Sequence, residues 1–338
     1  LYGADANLNK AENVCFTILK IMRDEKINSS KVSTDYVLEK EIAIFRNNKL
    51  LAHIPKTTVK DIPQILFEKI VNGKGAGSFS IPEAEEFMNK LHVTTIKAAS
   101  NRKADIRLRV HDYQVNFDHE VGFSIKSDVG SAPTLFNAGI NTKIQYILSN
   151  MTDGLAKRIN GINKSNDKNY MTSRMKALVD NRIKLKFENI VDGCFEGNLM
   201  MVDSYMPEIY ANLVATHYLY GKNYCTDLID VIEKNNFLKY RRDGLYRYKF
   251  KHLLSAMALG MTAGKTWDGM DEANGGYIVV KKDGDLVCYH LYNRNYFEQY
   301  LLANTKLDNP SASRYDYGYL FKENGEWHIQ LNAQVRFK

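Results

Sequence analysis

Apolar and polar positions alternate over Lys103-Ala104-Asp105-Ile106-Arg107-Leu108-Arg109 and again over Glu120-Val121-Gly122-Phe123-Ser124-Ile125-Lys126. That period of two predicts a pair of strands. His111-Asp112-Tyr113-Gln114 joins them, and a small-residue loop from Gly130 follows. In the C-terminal third, Gly275–Lys281 and Leu286–Leu291 flank Lys282-Asp283-Gly284-Asp285. Asp-Gly between alternating runs predicts a hairpin. Tyr317–Phe321 and Trp327–Phe337 flank Lys322-Glu323-Asn324-Gly325 and predict a second one.

Helical spacing marks other stretches. A helix is predicted to start at Thr58 or at Lys60-Asp61, with Pro63 in its first turn and Leu66, Phe67, Ile70 and Val71 on one face. Another runs over about 81–91, where Ser80-Ile81-Pro82-Glu83 reads as a capping box. Asn141–Ser149 reads as a helix with Ile144, Ile147 and Leu148 inward. Phe195–Asp203, Pro207–Tyr220, Thr226–Lys234 (Thr226 as N-cap) and Asn295–Ala303 follow. Residues 1 to about 70 read as helical, on a start at Asp5 and a stripe of Val14, Ile18, Ile21 and Met22. Within them, Asp35–Leu38 and Glu41–Phe45 fit strand or helix. Lys239–Lys251 interleaves basic and aromatic residues and fits either a strand with one cationic face or a helix running into His252. Gly73–Ser80 lacks the Gly-Lys-Ser/Thr ending of a nucleotide-binding loop and reads as a linker. The fold class is therefore α/β (α+β): a helical N-terminal region at 1–72, then a larger domain at 73–338 ending in β-hairpins.

Composition narrows the function. At 338 residues the chain forms one large domain or two, and 44% hydrophobic with 25% charged residues is ordinary for a globular protein. No apolar run reaches the roughly 18 residues of a membrane span, and no leader peptide is visible, so no membrane partner is expected. Cys15, Cys194, Cys225 and Cys288 form no CxxC or Cys/His cluster. A zinc site is not expected, and the scattered thiols fit a reducing cytoplasm. The eight histidines show no HxH or HExxH spacing, and neither a Gly-x-Ser-x-Gly elbow nor a dinucleotide fingerprint occurs. A net charge of +7 and 21 tyrosines are compatible with a polyanionic partner. Residues 150–188 are basic and read equally as a solvated helix face or as a cationic surface for phosphates.

The two strands of the first pattern carry the candidate chemistry. Asp105 opens one, and Lys126 ends the other, with Ser124 two residues earlier and on the same face. A carboxylate that holds Mg²⁺ and a lysine that faces the attacking water and the scissile phosphate are what a metal-dependent phosphodiester hydrolase needs. A second acidic ligand two residues before the lysine would complete the set, but Ser124 is neutral. Glu85 on the preceding helix is the first candidate for it, with Glu83 and Glu86 as alternatives. Glu120 shares the parity of Lys126 but lies six residues away, about 20 Å along a strand.

Gly122-Phe123-Ser124-Ile125-Lys126-Ser127, Gly130-Ser131, Pro133-Thr134-Leu135 and Asn137 resemble the HpaII-type restriction endonucleases. So do Asn274–Val280, Cys288-Tyr289-His290, Ser313-Arg314, the ending Leu331–Phe337 and the start Leu1–Lys10. The resemblance spans nearly the whole chain. It implies a prokaryotic, cytoplasmic type II enzyme that cuts double-stranded DNA at 5′-CCGG-3′ beside a cognate cytosine methyltransferase, with no direct contact between the two implied. It also implies a PD-(D/E)xK-like nuclease core, a mixed sheet flanked by helices, at about 78–150, with recognition elements at about 240–338. Ala104 and Ser124 stand where that core has proline and an acid. Reading a palindrome implies a homodimer. Guanine edges are best met by arginine or lysine, so Lys265, Arg314 and Arg336 are candidates for DNA contact. Ser127, Ser131, Thr134 and Asn137, close to Lys126 in the chain, are further ones. The alternative is a sequence-specific DNA-binding protein without cleavage.

Overall fold

The strands in chain order are β1 (Phe16–Asp24), β2 (Lys31–Asp35), β3 (Glu41–Arg46), β4 (Lys49–Pro55), β5 (Ile106–Asp112), β6 (Phe117–Ser127), β7 (Thr134–Phe136), β8 (Ile144–Ser149), β9 (Lys184–Ile190), β10 (Gly276–Val280), β11 (Leu286–His290), β12 (Thr305–Asp308), β13 (Leu320–Glu323), β14 (Glu326–Leu331) and β15 (Gln334–Phe337). The helices are α1 (Ile62–Asn72), α2 (Pro82–Lys90), α3 (Asp153–Asn160), α4 (Tyr170–Asp180), α5 (Gly193–Val202), α6 (Met206–Tyr220), α7 (Cys225–Asn235), α8 (Leu245–Leu259), α9 (Arg294–Asn304) and α10 (Ala312–Tyr315). They come from a computed structural model, which describes residues 16–24, 31–35, 41–46, 49–59, 61–73, 81–93, 103–112, 116–129, 132–291 and 293–338. The mixed α/β class expected from the sequence is what these elements form. The chain divides into two units, Leu1–Pro133 with Asp271–Tyr292, and Thr134–Met270 with Asn293–Lys338. The segment carrying β10 and β11 thus belongs to the same unit as β1–β6.

The first unit is built on one eight-stranded sheet in the order β11-β10-β6-β5-β1-β2-β3-β4. All its pairings are antiparallel except β10 with β6, which is parallel. The N-terminal region was expected to be helical, and its described part from residue 16 to 55 is instead four strands. The reason lies in a bulge. Position 18 stands opposite Val110 and position 21 opposite Leu108, because the register shifts between residues 18 and 20. An inserted residue turns a spacing of two into a spacing of three. The apolar positions then imitate a helix. The predicted helix start at Asp5 lies outside the described residues. Two apolar clusters hold the sheet: Ile44 and Ile54 with Leu91 and Val93, and Leu108, Val110, Val121 and Phe123 with Ile106 and Ile278.

The β10–β11 hairpin follows its predicted turn chemistry. Gly284 sits at φ +90, and the Lys281 N–H donates to the Asp285 carbonyl at 2.9 Å. Helices α1 and α2 fall where predicted, each with proline in its first turn. Ile81 occupies the N-cap of α2, and the capping role given to Ser80, like the linker residues 74–80, lies outside the described residues.

The second unit packs α3–α10 with a three-stranded sheet, β12-β15-β7, and a four-stranded one, β13-β14-β8-β9. Its centre is α6, whose residues from Ile209 to Ala211 and from Leu213 to Tyr218 are all buried. The β13–β14 hairpin turns on Asn324 and Gly325, at φ +50 and +87, as a two-residue turn requires. Asn141–Ser149 was expected to be a helix and is the strand β8 after a single 3₁₀ turn at Ile140–Thr142. It pairs with β14 on one side and β9 on the other. Ile144, Tyr146 and Leu148 share one parity along β8 and Ile147 has the other, and Ile147-Leu148 together then looks like a helical stripe. Helix α7 begins at Cys225 with Tyr224 as its cap, so Thr226 lies inside the helix.

Candidate active site

Strands β5 and β6 run antiparallel, with Ile106 opposite Phe123 and Arg107 opposite Gly122. Residues opposite each other share a face, so this register sorts the side chains. One face is the apolar cluster around Leu108 and Phe123. The other carries Arg107, Ser124 and Lys126. Asp105 stands one residue before β5 and is still in register: its N–H donates to the Phe123 carbonyl at 2.9 Å. Its Oδ2 accepts the Ile125 N–H at 2.7 Å and the Ser124 hydroxyl at 3.1 Å. The Oδ1 atom accepts no hydrogen bond from the described residues. Asp105, Ser124 and Lys126 are therefore brought together as the alternation predicts.

Two lysines feel this carboxylate. Burial lowers the pKa of Lys126, and the charge of Asp105 opposes that shift. Lys103 is pushed down to about 7, by burial first and then by the Lys126 ammonium, with Asp105 again opposing. The Lys126 ammonium thus disfavours the charged form of Lys103, and the Asp105 carboxylate favours the charged form of both lysines.

A third strand completes the site. Parallel pairing sets Tyr277 opposite Ser124 and Val279 opposite Lys126. The buried Tyr277 presents its ring to Lys126, with Nζ 5.6 Å from the centroid. The segment leading into β10 is tied down along β6 and β5. The Gly122 N–H donates to Asn274 Oδ1 at 2.8 Å, the Gly275 N–H to the Gly122 carbonyl at 2.7 Å, and the Lys103 N–H to Glu272 Oε2 at 2.8 Å. Gly122 is required by this approach, since a Cβ there would lie 1.9 Å from the Glu272 carbonyl oxygen. Lys103, Glu272, Asn274 and Tyr277 were missed by sequence reasoning. Lys103 shares the parity of Asp105, and Asn274 and Tyr277 lie in one of the stretches that carry the family resemblance.

Glu83 and Glu85 lie exposed in the first turn of α2. Glu86 pairs with Lys90 at 2.8 Å, and the hydrogen bond from that ammonium lowers its pKa. Among the described residues, no group of three or more His, Cys, Asp or Glu stands ready to hold a metal ion.

The model of the HpaII restriction endonuclease family matches residues 1–337. Type II restriction enzyme HpaII of Haemophilus parainfluenzae is 36% identical over 340 residues, which cover 100% of this chain and 92% of that enzyme. The chain belongs to the HpaII restriction endonuclease family. No solved structure matches it. This HpaII-family chain is a restriction endonuclease, a class that acts on double-stranded DNA and generally depends on a metal ion.

The expected DNA contacts of this HpaII-family enzyme have diverse surroundings. Ser127 ends β6, and its Oγ accepts the Val129 N–H at 3.2 Å. Ser131 lies outside the described residues. The other five belong to the second unit. Thr134 starts β7 opposite Arg336, and Asn137 is exposed just beyond that strand. Lys265 is exposed, and its carbonyl accepts from Asn198 Nδ2 at 2.8 Å. Arg314 was expected on a loop but lies inside the one-turn helix α10, which Ser311 caps, and it is 5.3 Å from the Tyr315 ring centroid. Arg336 is half-buried and bonded to Asp308 at 3.0 Å.

Two cationic stretches are partly spent on internal structure. Arg174 is wholly buried, donates to the carbonyls of Asn160, Ile162 and Gly318, and lies between the rings of Tyr170 and Tyr319. The basic-aromatic stretch enters α8 only from Leu245, and there Arg247 pairs with Asp230 and Lys249 with Asp203. No helix among the described residues is long and apolar enough to cross a membrane.

Proposed function

We propose that the chain hydrolyses double-stranded DNA at 5′-CCGG-3′ with Mg²⁺, acting as a homodimer whose two copies each address one strand of the palindrome. The observation that carries this reading is the Asp105–Ser124–Lys126 constellation, with the carboxylate held by the Ile125 N–H and the ammonium on the same face. One carboxylate oxygen taken by the backbone and one that accepts no hydrogen bond from the described residues fit a Mg²⁺ ligand, because this ion is commonly held by one or two carboxylates together with substrate phosphates and water. Bound there, the ion would neutralise charge on the scissile phosphate and favour ionisation of water. Lys126 orients that water and offsets the charge that develops on the phosphate. Ser124 fixes the Asp105 carboxylate and so acts through it. Ser127, Ser131, Thr134, Asn137, Lys265, Arg314 and Arg336 are the proposed contacts to the duplex, and the cytoplasm, beside a cytosine methyltransferase, is the proposed setting.

Plasmid DNA incubated with the protein should give discrete fragments ending at CCGG when Mg²⁺ is present and intact DNA when it is chelated. Retarded but uncut DNA under both conditions would point to binding without cleavage, and untouched DNA would overturn the reading.

The second carboxylate is proposed to be Glu85. Glu272 competes with it, because its Oε2 already holds the Lys103 N–H two residues before Asp105. Glu85→Ala should lower cleavage at least about a hundredfold and weaken Mg²⁺ binding measured by calorimetry. If Glu272→Ala does this and Glu85→Ala does not, the assignment moves to Glu272.

A further inference from the structure

The geometry points to Tyr277 as the positioning residue of Lys126, acting through the face of its ring. The inference rests on the reading of Lys126 as the lysine of a nuclease site. Three observations converge. First, Tyr277 is brought to the site by the parallel pairing of β10 with β6, which sets it opposite Ser124, the residue that holds the Asp105 carboxylate. Second, the Lys126 ammonium stands 5.6 Å from the ring centroid, within the roughly 6 Å at which a cation is attracted by an aromatic face. Third, the segment before Tyr277 is held without play. Asn274 accepts the Gly122 N–H, and Gly275 approaches so closely that a Cβ on it would meet the Phe123 ring and the Gly122 carbonyl at 2.8 Å.

A lysine side chain has four rotatable bonds and, left alone, many rotamers. A half-buried one with a carboxylate nearby has two resting places: in an ion pair with Asp105, or over the face where substrate arrives. The buried ring of Tyr277 offers the ammonium an electrostatic partner that carries no net charge. It does not compete with a metal for the carboxylate, and it does not quench the positive charge that a phosphate needs. A carboxylate at position 277 would do both. An aliphatic residue would leave Asp105 as the strongest nearby partner, so that Lys126 falls onto the carboxylate and must be displaced in each turnover.

The test separates ring electrostatics from packing. Tyr277→Phe keeps the face and is expected to cut within about threefold of the wild type. Phenylalanines carrying one, two and three ring fluorines at position 277 keep the shape while emptying the face of negative potential. Single-turnover cleavage should fall stepwise across this series, to about a tenth of the Phe value at three fluorines. The dissociation constant for uncleaved CCGG duplex and the melting temperature should stay level. Tyr277→Leu is expected to lose cleavage by about tenfold or more without a matching loss of DNA binding. A fluorinated series that cuts as fast as Tyr277→Phe would overturn the inference even if Tyr277→Leu fails to fold. A wild-type protein that never cuts DNA would instead overturn the nuclease reading, which keeps the two failures apart.

Discussion

Lys126→Ala is expected to lower the single-turnover rate of DNA cleavage by at least about a thousandfold while leaving the affinity for uncleaved duplex within about threefold of the wild type. The size follows from what a placed charge is worth where charge develops, typically about a hundredfold to a thousandfold for one donor. Here the lysine has the proposed further task of orienting water. The ammonium stands on a part-buried sheet face, where burial weakens its hold on the proton and Asp105 restores part of it. A charge held in that setting costs the fold stability, so its removal should not unfold the protein. The melting temperature of Lys126→Ala should be unchanged or slightly raised, since no described carboxylate is left buried without its ion pair. Affinity is spared because a duplex is held by many phosphate contacts spread along the protein, and losing one removes a small share of them. Gel retardation without metal, read beside the cleavage rate with Mg²⁺, checks both halves. Cleavage at the wild-type rate would remove Lys126 from the mechanism. An equal loss of cleavage and affinity would make it a binding residue only.

That site was partly legible because its logic is local. The alternation around Asp105 and Lys126 has a period of two, the strands are adjacent in the chain, and the register of a hairpin follows. The glycine turns at Gly284 and Gly325 were readable for the same reason, since only a few residues tolerate those backbone angles. What escaped depends on partners distant in sequence. Tyr277 and Ser124 become neighbours only through a parallel pairing, which no hairpin turn announces. The N-terminal strands were hidden by the bulge after position 18, and β8 by apolar residues on both of its faces. Charge was misleading in a different way. Arg174 looks like part of a cationic surface in the sequence, but it is buried, with three carbonyls and two aromatic rings around its guanidinium. Basic residues count towards DNA binding only after those used inside the fold are set aside.

Asp105→Asn should be the most informative change at the site, because it removes the charge and keeps the scaffold. The carboxylate has two jobs on two atoms. Oδ2 accepts the Ile125 N–H at 2.7 Å and the Ser124 hydroxyl at 3.1 Å, and Oδ1 accepts no hydrogen bond from the described residues. An asparagine amide can keep the first job by turning its carbonyl oxygen toward Ile125 and Ser124. Its NH₂ group then occupies the Oδ1 position, where it is a donor and cannot ligate a cation. Stability should therefore change by less than about 1 kcal/mol, as for other substitutions that leave buried groups satisfied. Cleavage should fall at least about a thousandfold, and Mg²⁺ binding by calorimetry should be lost. Asp105→Ala differs in one respect. It strands the Ile125 N–H and the Ser124 hydroxyl, which should cost about 1–3 kcal/mol in denaturant unfolding on top of the same loss of activity. Lys126→Ala, by contrast, should still bind Mg²⁺. If Asp105→Asn retains both metal binding and cleavage, then the carboxylate is a structural acceptor for the turn into β5, and the metal ligand must be sought among Glu85 and Glu272. If it loses cleavage but keeps metal binding, Asp105 acts on the reacting groups and not on the ion. Measured together, the two variants at position 105 and the one at 126 separate holding the strand, holding the metal and handling the phosphate, three functions that the β5–β6 pair brings within a few residues of one another.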